Sequence, residues 1–375
     1  MKEKVIVGLS GGVDSSVSAK LLIDQGYEVE GMFMRNWDSL LNNDIKGNPN
    51  SVLDICPQEK DYNDALEVAN ELGIPLHRID FVKEYWDDVF RYFLDEYNKG
   101  RTPNPDVMCN KYIKFDCFKK EAIKLGADKI AMGHFAITKV IDGVTHLFKG
   151  VDSNKDQSYF LALTKREQLE NCLFPVGEMT KSEVREIART SHLITADKKD
   201  STGICFIGER HFSEFLSNYL PAKPGKIIST DGKILGEHTG LMNYTIGQRK
   251  GIGIGGLNYE EKLPWFVVGK DLTNNILLVG QGKDNELLYS DECIIENINI
   301  INPLPSIHLK AKFRYRANDE DINIEMLPND EAKITYKHVK SVTPGQILVF
   351  YDDLGECYGG GIIKEVFNKG IKRKY

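Results

Sequence analysis

The sequence predicts an α/β domain with a doubly wound parallel sheet, followed by a small, mostly β central domain and a C-terminal β-barrel. Short apolar runs alternate with helical periodicity over roughly the first two hundred residues, which is the pattern of strand–helix–strand units. Helical periodicity largely ends at the Pro- and Gly-containing segment 221–225, and short strands with turn signals follow. About five or six such strands near the C-terminus suit a small barrel. The predicted domains are 1–208, 209–285 and 286–375.

Each element of the first domain is marked by an apolar run or by apolar periodicity. Gly73 and Pro75 end the second helix, and residues Thr180 to Glu183 form a capping box that opens a later one. In a parallel sheet of this kind, ligands bind at the carboxyl ends of the strands. The predicted strands are 5–9, 29–34, 76–81 and 129–133, and the predicted helices lie around 13–21, 65–72, 85–97, 111–125, 180–188 and 212–219.

The strands of the other two domains are predicted from short β-branched and aromatic runs that are bounded by turn residues. Asp231 and Gly232 form a predicted tight turn in the central domain. The predicted strands are 227–229, 266–269 and 275–280 in the central domain, and 309–316, 322–326, 332–336, 347–351 and 358–366 in the barrel.

Composition narrows the class of protein. The 375 residues are 41% hydrophobic and 27% charged, as expected for a globular chain. No apolar run approaches the roughly 18 residues of a membrane helix, and a strand begins within four residues of the first. We therefore expect a cytoplasmic protein without a signal peptide or membrane contact. The net charge of −7 argues against a surface coated with positive charge, although a local basic face can still bind nucleic acid.

A Ser-Gly-Gly-x-Asp-Ser turn, residues 10–15, joins the first predicted strand to the first helix. Gly11 and Gly12 permit a tight turn, and the helix N-terminus behind them offers unpaired N–H groups to an anion. Ser10 and Ser15 add hydroxyl donors. A carboxylate at Asp14 would repel a phosphate unless a divalent cation lay between them. The pattern is neither Walker A nor Gly-x-Gly-x-x-Gly, and it predicts a nucleotide phosphate site.

Two of the seven cysteines lie in unusual settings. Cys109 lies near the end of a proline-containing segment, 101–110, that is predicted as a loop before a helix starting near Lys111. A helix N-terminus and nearby lysines favour a thiolate, and Asp106 could carry a proton there. Cys205 lies in a second loop, 200–208. A lone cysteine is more often a small buried hydrophobe, but the pair together with the phosphate loop favours chemistry. With no Cys-x-x-Cys pair, neither a disulfide framework nor a zinc ribbon is expected.

Seven motifs in order along the chain resemble those of the bacterial tRNA-specific 2-thiouridylases, which belong to the PP-loop (N-type) ATP pyrophosphatase superfamily. They are 8–15, 31–37, 102–106 with Cys109-Asn110, 155–160, 200–208, 244–249 and 344–346. The resemblance implies an enzyme that uses ATP and Mg²⁺ to replace the C2 oxygen of a tRNA wobble uridine by sulfur. It also implies a sulfur-donor protein as partner, either a cysteine desulfurase or a relay protein.

The resemblance also implies roles for residues. Cys109 would be the nucleophile, Cys205 would carry a persulfide, and the two could end as a disulfide; Asp106 would act as an acid–base or orienting group. Three further sets follow. The ATP site would be formed by Gly8, Leu9, Ser10, Gly11, Gly12, Val13, Asp14, Ser15, Met34 and Gly133. The target base would meet Asn104, Pro105 and Asp106. The tRNA would contact His134, Lys155, Asp156, Gln157, Arg314, Tyr315 and Gln346.

Alternatives remain open at this stage. An amide-forming PP-loop ligase, such as an argininosuccinate or GMP synthetase, would need no cysteine pair. The cysteines, with Asp106, could instead ligate an iron–sulfur cluster, and a noncatalytic module would bind tRNA without consuming ATP. Four basic residues at even spacing, from Lys310 to Arg316, are expected on one strand face, which is either a phosphate-binding stripe or an ordinary solvated surface.

Overall fold

The computed structural model describes residues 2–46, 57–200, 203, 207, 211–254 and 263–374. The first domain contains a parallel sheet and the helices that cover it. Its strands are β1 Lys4–Gly8, β2 Glu28–Arg35, β3 Leu76–Asp80, β4 Lys129–Ala131, β5 Ala136–Ile141, β6 Val144–Lys149 and β7 Cys172–Leu173. Its helices are α1 Val13–Asp24, α2 Pro57–Leu72, α3 82–98, α4 105–124, α5 Arg166–Leu169, α6 Lys181–Thr190 and α7 Phe212–Leu216.

The strand order β3–β2–β1–β4–β7, with every pairing parallel, confirms the predicted doubly wound sheet. The order reverses between β1 and β4, so the crevice for a ligand opens where these two strands end. Strands β5 and β6, which the sequence did not predict, form an antiparallel hairpin beside the sheet.

Helix α6 packs against α1 and so lies beside the turn that follows β1. Val13 and Val17 of α1 share a buried cluster with Val184 and Ala188 of α6. The predicted capping box at the start of α6 is confirmed: Glu183 donates its N–H to Thr180 Oγ1 at 3.3 Å, and Glu183 Oε2 accepts the N–H of Thr180 at 2.7 Å.

Helix α4 begins at Pro105 rather than near Lys111, so the predicted loop over 105–110 is wrong. Proline excludes only the preceding residue from helical geometry and is itself well suited to the first helical position. Asn104 accordingly has extended dihedrals and caps the helix, accepting the N–H of Asp106 at 3.2 Å. The helix continues through a π-helical stretch, Cys109–Cys117, to Lys124.

The central domain is a four-stranded sheet in the order β10–β11–β8–β9. The predicted turn at Asp231-Gly232 is confirmed between β8 and β9, where Gly232 has φ +86°. The sequence missed β9, whose segment includes a glycine and lacks a clear alternation. The strands are β8 Gly225–Ser229, β9 Ile234–His238, β10 Trp265–Asp271 and β11 Ile276–Gln281.

The C-terminal domain is a closed antiparallel barrel, as predicted. Strand β12 pairs with both β15 and β17, which closes a ring of six strands around a buried apolar core. The strands are β12 Tyr289–Ile300, β13 His308–Lys312, β14 Glu320–Leu327, β15 Glu331–Lys340, β16 Ile347–Tyr351, β17 Cys357–Asn368 and β18 Ile371–Lys372. Strand β13 ends at Lys312, so the expectation that Lys310, Lys312, Arg314 and Arg316 share one strand face is wrong.

The barrel packs directly on the first domain. Ile347 and Val349 of β16 belong to the same buried cluster as Tyr159 and Leu161 of the first domain. Tyr159 also donates its hydroxyl hydrogen to the carbonyl of Ile347 at 2.8 Å. None of the helices in the described residues combines the length and the apolar character needed to cross a membrane.

Candidate functional site

The turn after β1 presents the start of α1 to the crevice. Gly12 precedes the helix and has no side chain to accept its first N–H groups, which leaves them for an anion. Ser10 donates its N–H to Ser15 Oγ at 3.2 Å, and Ser15 Oγ donates to the carbonyl of Gly12 at 3.0 Å. Gly11 has φ +71°, which favours glycine. This phosphate loop, residues 10–15, has the geometry expected of an anion cradle.

Close backbone approach fixes the loop against the end of β4. A Cβ on Gly133 would lie 2.7 Å from the nitrogen of Ser15, and one on Gly8 would lie 2.6 Å from the sulfur of Met132 and 3.7 Å from Met34 Cε. Gly133 faces backbone atoms and therefore needs glycine, whereas a side chain at position 8 would have to displace the end of the Met132 side chain. The structure brings Gly8, Met34 and Gly133, which the sequence assigned to the ATP site, to one place beside the phosphate loop.

A cluster of ion pairs borders the phosphate loop, and the sequence did not predict it. Lys181 Nζ lies 2.6 Å from Asp14 Oδ1 and 2.9 Å from Asp200 Oδ1. Lys155 Nζ lies 2.6 Å from Asp200 Oδ2, and Arg185 also reaches Asp200. These pairs join residues far apart in sequence. The one available signal was the capping box at Thr180, which fixes the start of α6 and hence the place of Lys181 on its first turn.

The pKa values of the two carboxyl groups in this cluster, Asp14 and Asp200, are shifted in opposite directions. Burial raises the pKa of Asp14, and the charge and hydrogen bond of Lys181 offset only part of that effect. Burial also acts to raise the pKa of Asp200, but hydrogen bonds and charges from Lys155 and Lys181 outweigh it and bring the value to about 2. Lys181 is thus the cation that pairs with both carboxylates, while Lys155 also pairs with Asp200.

A second lysine touches the loop backbone. Lys198 Nζ donates to the carbonyl of Gly11 at 2.9 Å and pairs with Asp61 at 2.9 Å and with Asp64. The two α2 carboxylates raise the pKa of Lys198 against the opposing effect of burial. Lys181 and Lys198 therefore contact the loop at two positions, the Asp14 carboxylate and the Gly11 carbonyl.

Cys109 lies in the second turn of α4 with its side chain fully buried. The neighbouring Asn110 donates to the carbonyl of Phe160 at 3.1 Å, and its Oδ1 lies 3.2 Å from His134 Nε2. His134 follows Gly133 in the chain. Consecutive contacts therefore connect the phosphate loop, through residues 133–134, to Asn110 and Cys109.

Cys205 lies outside the described residues, as does Cys56. Burial raises the pKa of Cys117 to about 11 and of Cys172 and Cys357 to about 12, so these side chains stay protonated thiols near neutral pH. No group of three or more His, Cys, Asp or Glu side chains suited to a metal occurs within the part of the chain that the structure describes.

The first four predicted tRNA residues make contacts within the protein. His134 packs between Phe115 and Phe174, and burial lowers its pKa well below the usual value, with a smaller contribution from Lys114. Its Nδ1 has no hydrogen-bond partner among the described residues. Gln157 Oε1 accepts the N–H of Phe135 at 3.0 Å, and Asp156 Oδ1 accepts those of Gly150 and Ser158. Lys155, the fourth of these residues, forms an ion pair with Asp200.

The other three face the first and central domains from the barrel. Arg314 donates to Thr343 Oγ1 at 3.0 Å and to two backbone carbonyls, and burial lowers its pKa. The ring centroid of Tyr315 lies 4.3 Å from that of Phe160. Gln346 donates to the carbonyl of Thr102 at 2.7 Å. All three therefore lie at domain contacts.

Three family descriptions match successive parts of the chain. Residues 3–209 match the tRNA methyl transferase HUP domain, residues 213–281 the tRNA methyl transferase PRC-barrel domain, and residues 290–363 the aminomethyltransferase beta-barrel domain. The chain thus belongs to a three-domain class of tRNA-related proteins.

Full-length relatives define the family more closely. The chain is 55% identical over 376 residues to the tRNA-specific 2-thiouridylase MnmA of Acholeplasma laidlawii, with 100% of both chains covered. It is 53% identical to that of Metamycoplasma arthritidis, again with 100% of both covered. It is 51% identical to that of Bacillus thuringiensis, with 99% of this chain and 97% of the relative covered. The chain belongs to the tRNA-specific 2-thiouridylase family, a group of tRNA-modifying sulfurtransferases, and the resemblance predicted from its motifs is confirmed.

Proposed function

We propose that this protein uses ATP to activate the C2 oxygen of a tRNA wobble uridine and replaces that oxygen by sulfur. The observation that carries the proposal is the continuous path from the phosphate loop to Cys109. Gly133 packs on Ser15 of the loop, and the next residue, His134, lies 3.2 Å from Asn110, which adjoins Cys109. An ATP site and a nucleophilic thiol that both lie near the carboxyl ends of the strands suit a reaction at one carbon. The C2 oxygen of the uridine is activated there, and sulfur then replaces it at C2.

Activation is the first step, because the uridine C2 oxygen is a poor leaving group until it is adenylylated. The amides at the start of α1 and the hydroxyls of Ser10 and Ser15 would bind the phosphates of ATP. Lys181 would neutralise charge that develops on the departing pyrophosphate. Asp14 on the loop fits a Mg²⁺ ion bound jointly with phosphate oxygens, and that ion would supply further charge neutralisation.

Sulfur transfer follows. The terminal sulfur of a Cys205 persulfide would form the bond to C2, and AMP would leave. Cys109 would free or resolve that sulfur by attacking Cys205, and the resulting Cys109–Cys205 disulfide would be reduced before the next turnover by an external dithiol or two external thiols, which would leave as a disulfide. Asp106, on the first turn of α4, would orient the base or carry a proton, and Asn104 and Pro105 would border the base. A persulfide-bearing protein, a cysteine desulfurase or a relay, would recharge Cys205.

The three domains would have different functions. We assign ATP binding and catalysis to residues 1–208 and tRNA binding to residues 209–285 and 286–375. Lys155, Tyr315 and Gln346, all half-buried, would contact tRNA, together with His134, Asp156, Gln157 and Arg314. The base would flip out of the anticodon to reach the crevice. Because ATP and tRNA are both present in the cytoplasm, the activity would be located there.

The cysteine pair gives the direct test. In an assay of labelled sulfur transfer from cysteine plus a desulfurase into unmodified tRNA, we expect Cys109→Ser and Cys205→Ser each to lower 2-thiouridine formation by about 1,000-fold or more, because each removes a sulfur that forms a bond. Cys117→Ser, at a half-buried α4 position, is the matched control and should retain activity.

Two outcomes would contradict the proposal. Full thiolation by Cys205→Ser would remove the persulfide role. Pyrophosphate release without any sulfur in tRNA from the wild-type protein would instead favour the amide-forming ligase. Iron and sulfide analysis of anaerobically purified, active protein decides the iron–sulfur alternative, since that mechanism requires both elements.

A further inference from the structure

Three residues just before the start of α4 are held by the other two domains. The segment 100–102 leaves α3, and Asn104 caps α4 only two residues further on. Consecutive Cα atoms are about 3.8 Å apart, so the position of Thr102 largely determines the position of Asn104. Any contact that fixes 100–102 therefore also fixes the beginning of the helix that carries Cys109.

The barrel fixes the second half of the segment. Thr102 donates its N–H to the carbonyl of Pro344 at 2.9 Å and accepts at its own carbonyl from Gln346 Nε2 at 2.7 Å. A Cβ on Gly345 would lie 2.9 Å from the nitrogen of Thr102, so the two backbones touch. Arg101 Nη1 pairs with Glu296 of β12 at 2.7 Å.

The central domain contacts the first and the last residue of the segment. Lys270 of β10 donates from Nζ to the carbonyl of Gly100 at 3.0 Å, and a Cβ on Gly100 would lie 2.5 Å from Leu272. The hydroxyl oxygens of Thr102 and Thr245 lie 3.3 Å apart. Segment 100–102 is thus a junction of all three domains.

Lys270 is an unusual side chain for this position. It is only 2% exposed, and the Gly100 carbonyl is the one acceptor of its amine, with no carboxylate in ion-pair contact, among the described residues. Burial accordingly lowers the pKa of Lys270 to about 8. A buried amine with so little compensation costs stability, so its presence is explained better by the contact that it makes than by packing.

We propose that segment 100–102 is a three-domain junction that fixes the start of α4 relative to the tRNA-binding domains, and that Lys270 is a positioning residue for the thiolation step. The proposal rests on the proposed function for its activity readout. It predicts that loss of the junction contact of Lys270, a residue that is not assigned to ATP, the target base or tRNA, loosens residues 104–110 and slows chemistry without weakening tRNA binding.

Lys270→Met removes the junction contact with little change in volume. We expect amide hydrogen exchange in residues 104–110 to rise by about fivefold or more, because the start of α4 opens more often. The single-turnover thiolation rate at saturating tRNA should fall about tenfold, as misplacement of reacting groups by a fraction of an ångström would cause. The tRNA Kd should stay within about twofold, since no tRNA-contacting residue is changed. The thermal midpoint should not fall, because a buried charge is removed. Lys226→Met, at an exposed lysine on β8 of the same sheet, is the control.

Glu296→Gln tests the junction from the barrel side, and it guards against a folding defect in the first variant. It weakens the pair with Arg101 and should give the same combination of faster exchange in 104–110 and slower single turnover. Unchanged exchange in both variants, or faster exchange with an unchanged thiolation rate, would overturn the proposal. If the wild-type protein made no 2-thiouridine, the proposed function would fail, while the exchange measurement would still decide whether the junction holds α4.

Discussion

Lys181→Met is expected to lower tRNA-dependent pyrophosphate release by about 100-fold or more, as loss of a preorganised charge from a reacting site does. Lys181 Nζ lies 2.6 Å from Asp14 and 2.9 Å from Asp200 beside the phosphate loop. Without this cation, two carboxylates would face the phosphates of ATP with less compensation, and Asp14 would lose the partner that opposes the rise of its pKa. Single-turnover release of labelled pyrophosphate measures the effect.

The controls separate a local role from a general loss of charge. Arg189→Met removes a cation from the same helix at a half-exposed position and should leave the rate within about twofold, since an exposed ion pair contributes little. Lys181→Arg keeps the charge and should restore part of the rate. A Lys181→Met protein with a normal rate would exclude Lys181 from the activation step.

The phosphate loop could be predicted because every feature that forms it is local. An apolar strand, two adjacent glycines and a helix with its apolar stripe lie within about twenty consecutive residues, and each obeys a rule of short range. The parallel sheet was likewise predicted from a local pattern, the alternation of short apolar runs with helical periodicity. Predictions of this type need no knowledge of distant contacts.

The start of α4 was predicted wrongly for a reason that is also local. The rule that proline excludes the preceding residue from a helix was applied at both Pro103 and Pro105, although Pro105 opens the helix itself. Asn104 as a cap was the available signal. Recognising it would have placed Cys109 within the helix rather than before it.

The cation cluster and the domain junction could not be predicted, because they depend on tertiary contacts over long separations. Lys181 meets Asp14 across 167 residues, and Lys270 meets Gly100 across 170. Nothing in the local sequence around either lysine indicates which distant residue it contacts. The strand β12 was missed because register shifts in its pairings with β15 and β17 interrupt the simple alternation of buried and exposed residues.

Gly133→Ala is expected to weaken ATP binding by about tenfold or more, because the added methyl group would push the amides that bind phosphate out of place. The new Cβ would lie 2.7 Å from the nitrogen of Ser15 and 2.8 Å from the carbonyl carbon of Asp14. These are backbone atoms, so no side-chain rotation can relieve the contact, and the start of α1 must move. Overpacking of this kind also costs about 1–3 kcal/mol of stability. Calorimetric titration with ATP and thermal unfolding measure the two effects.

Gly236→Ala provides the matched control, since among the described residues its Cβ would meet only Ile254, at an ordinary 3.5 Å. It should leave ATP affinity unchanged. Comparing ATP affinity with the thermal unfolding temperature then shows which property of the protein Gly133→Ala changes. If Gly133→Ala lost stability but bound ATP normally, the loop would not form the phosphate site. If it lost affinity while unfolding near the wild-type temperature, the effect would lie in the placement of the α1 amides, as the contact with Ser15 requires.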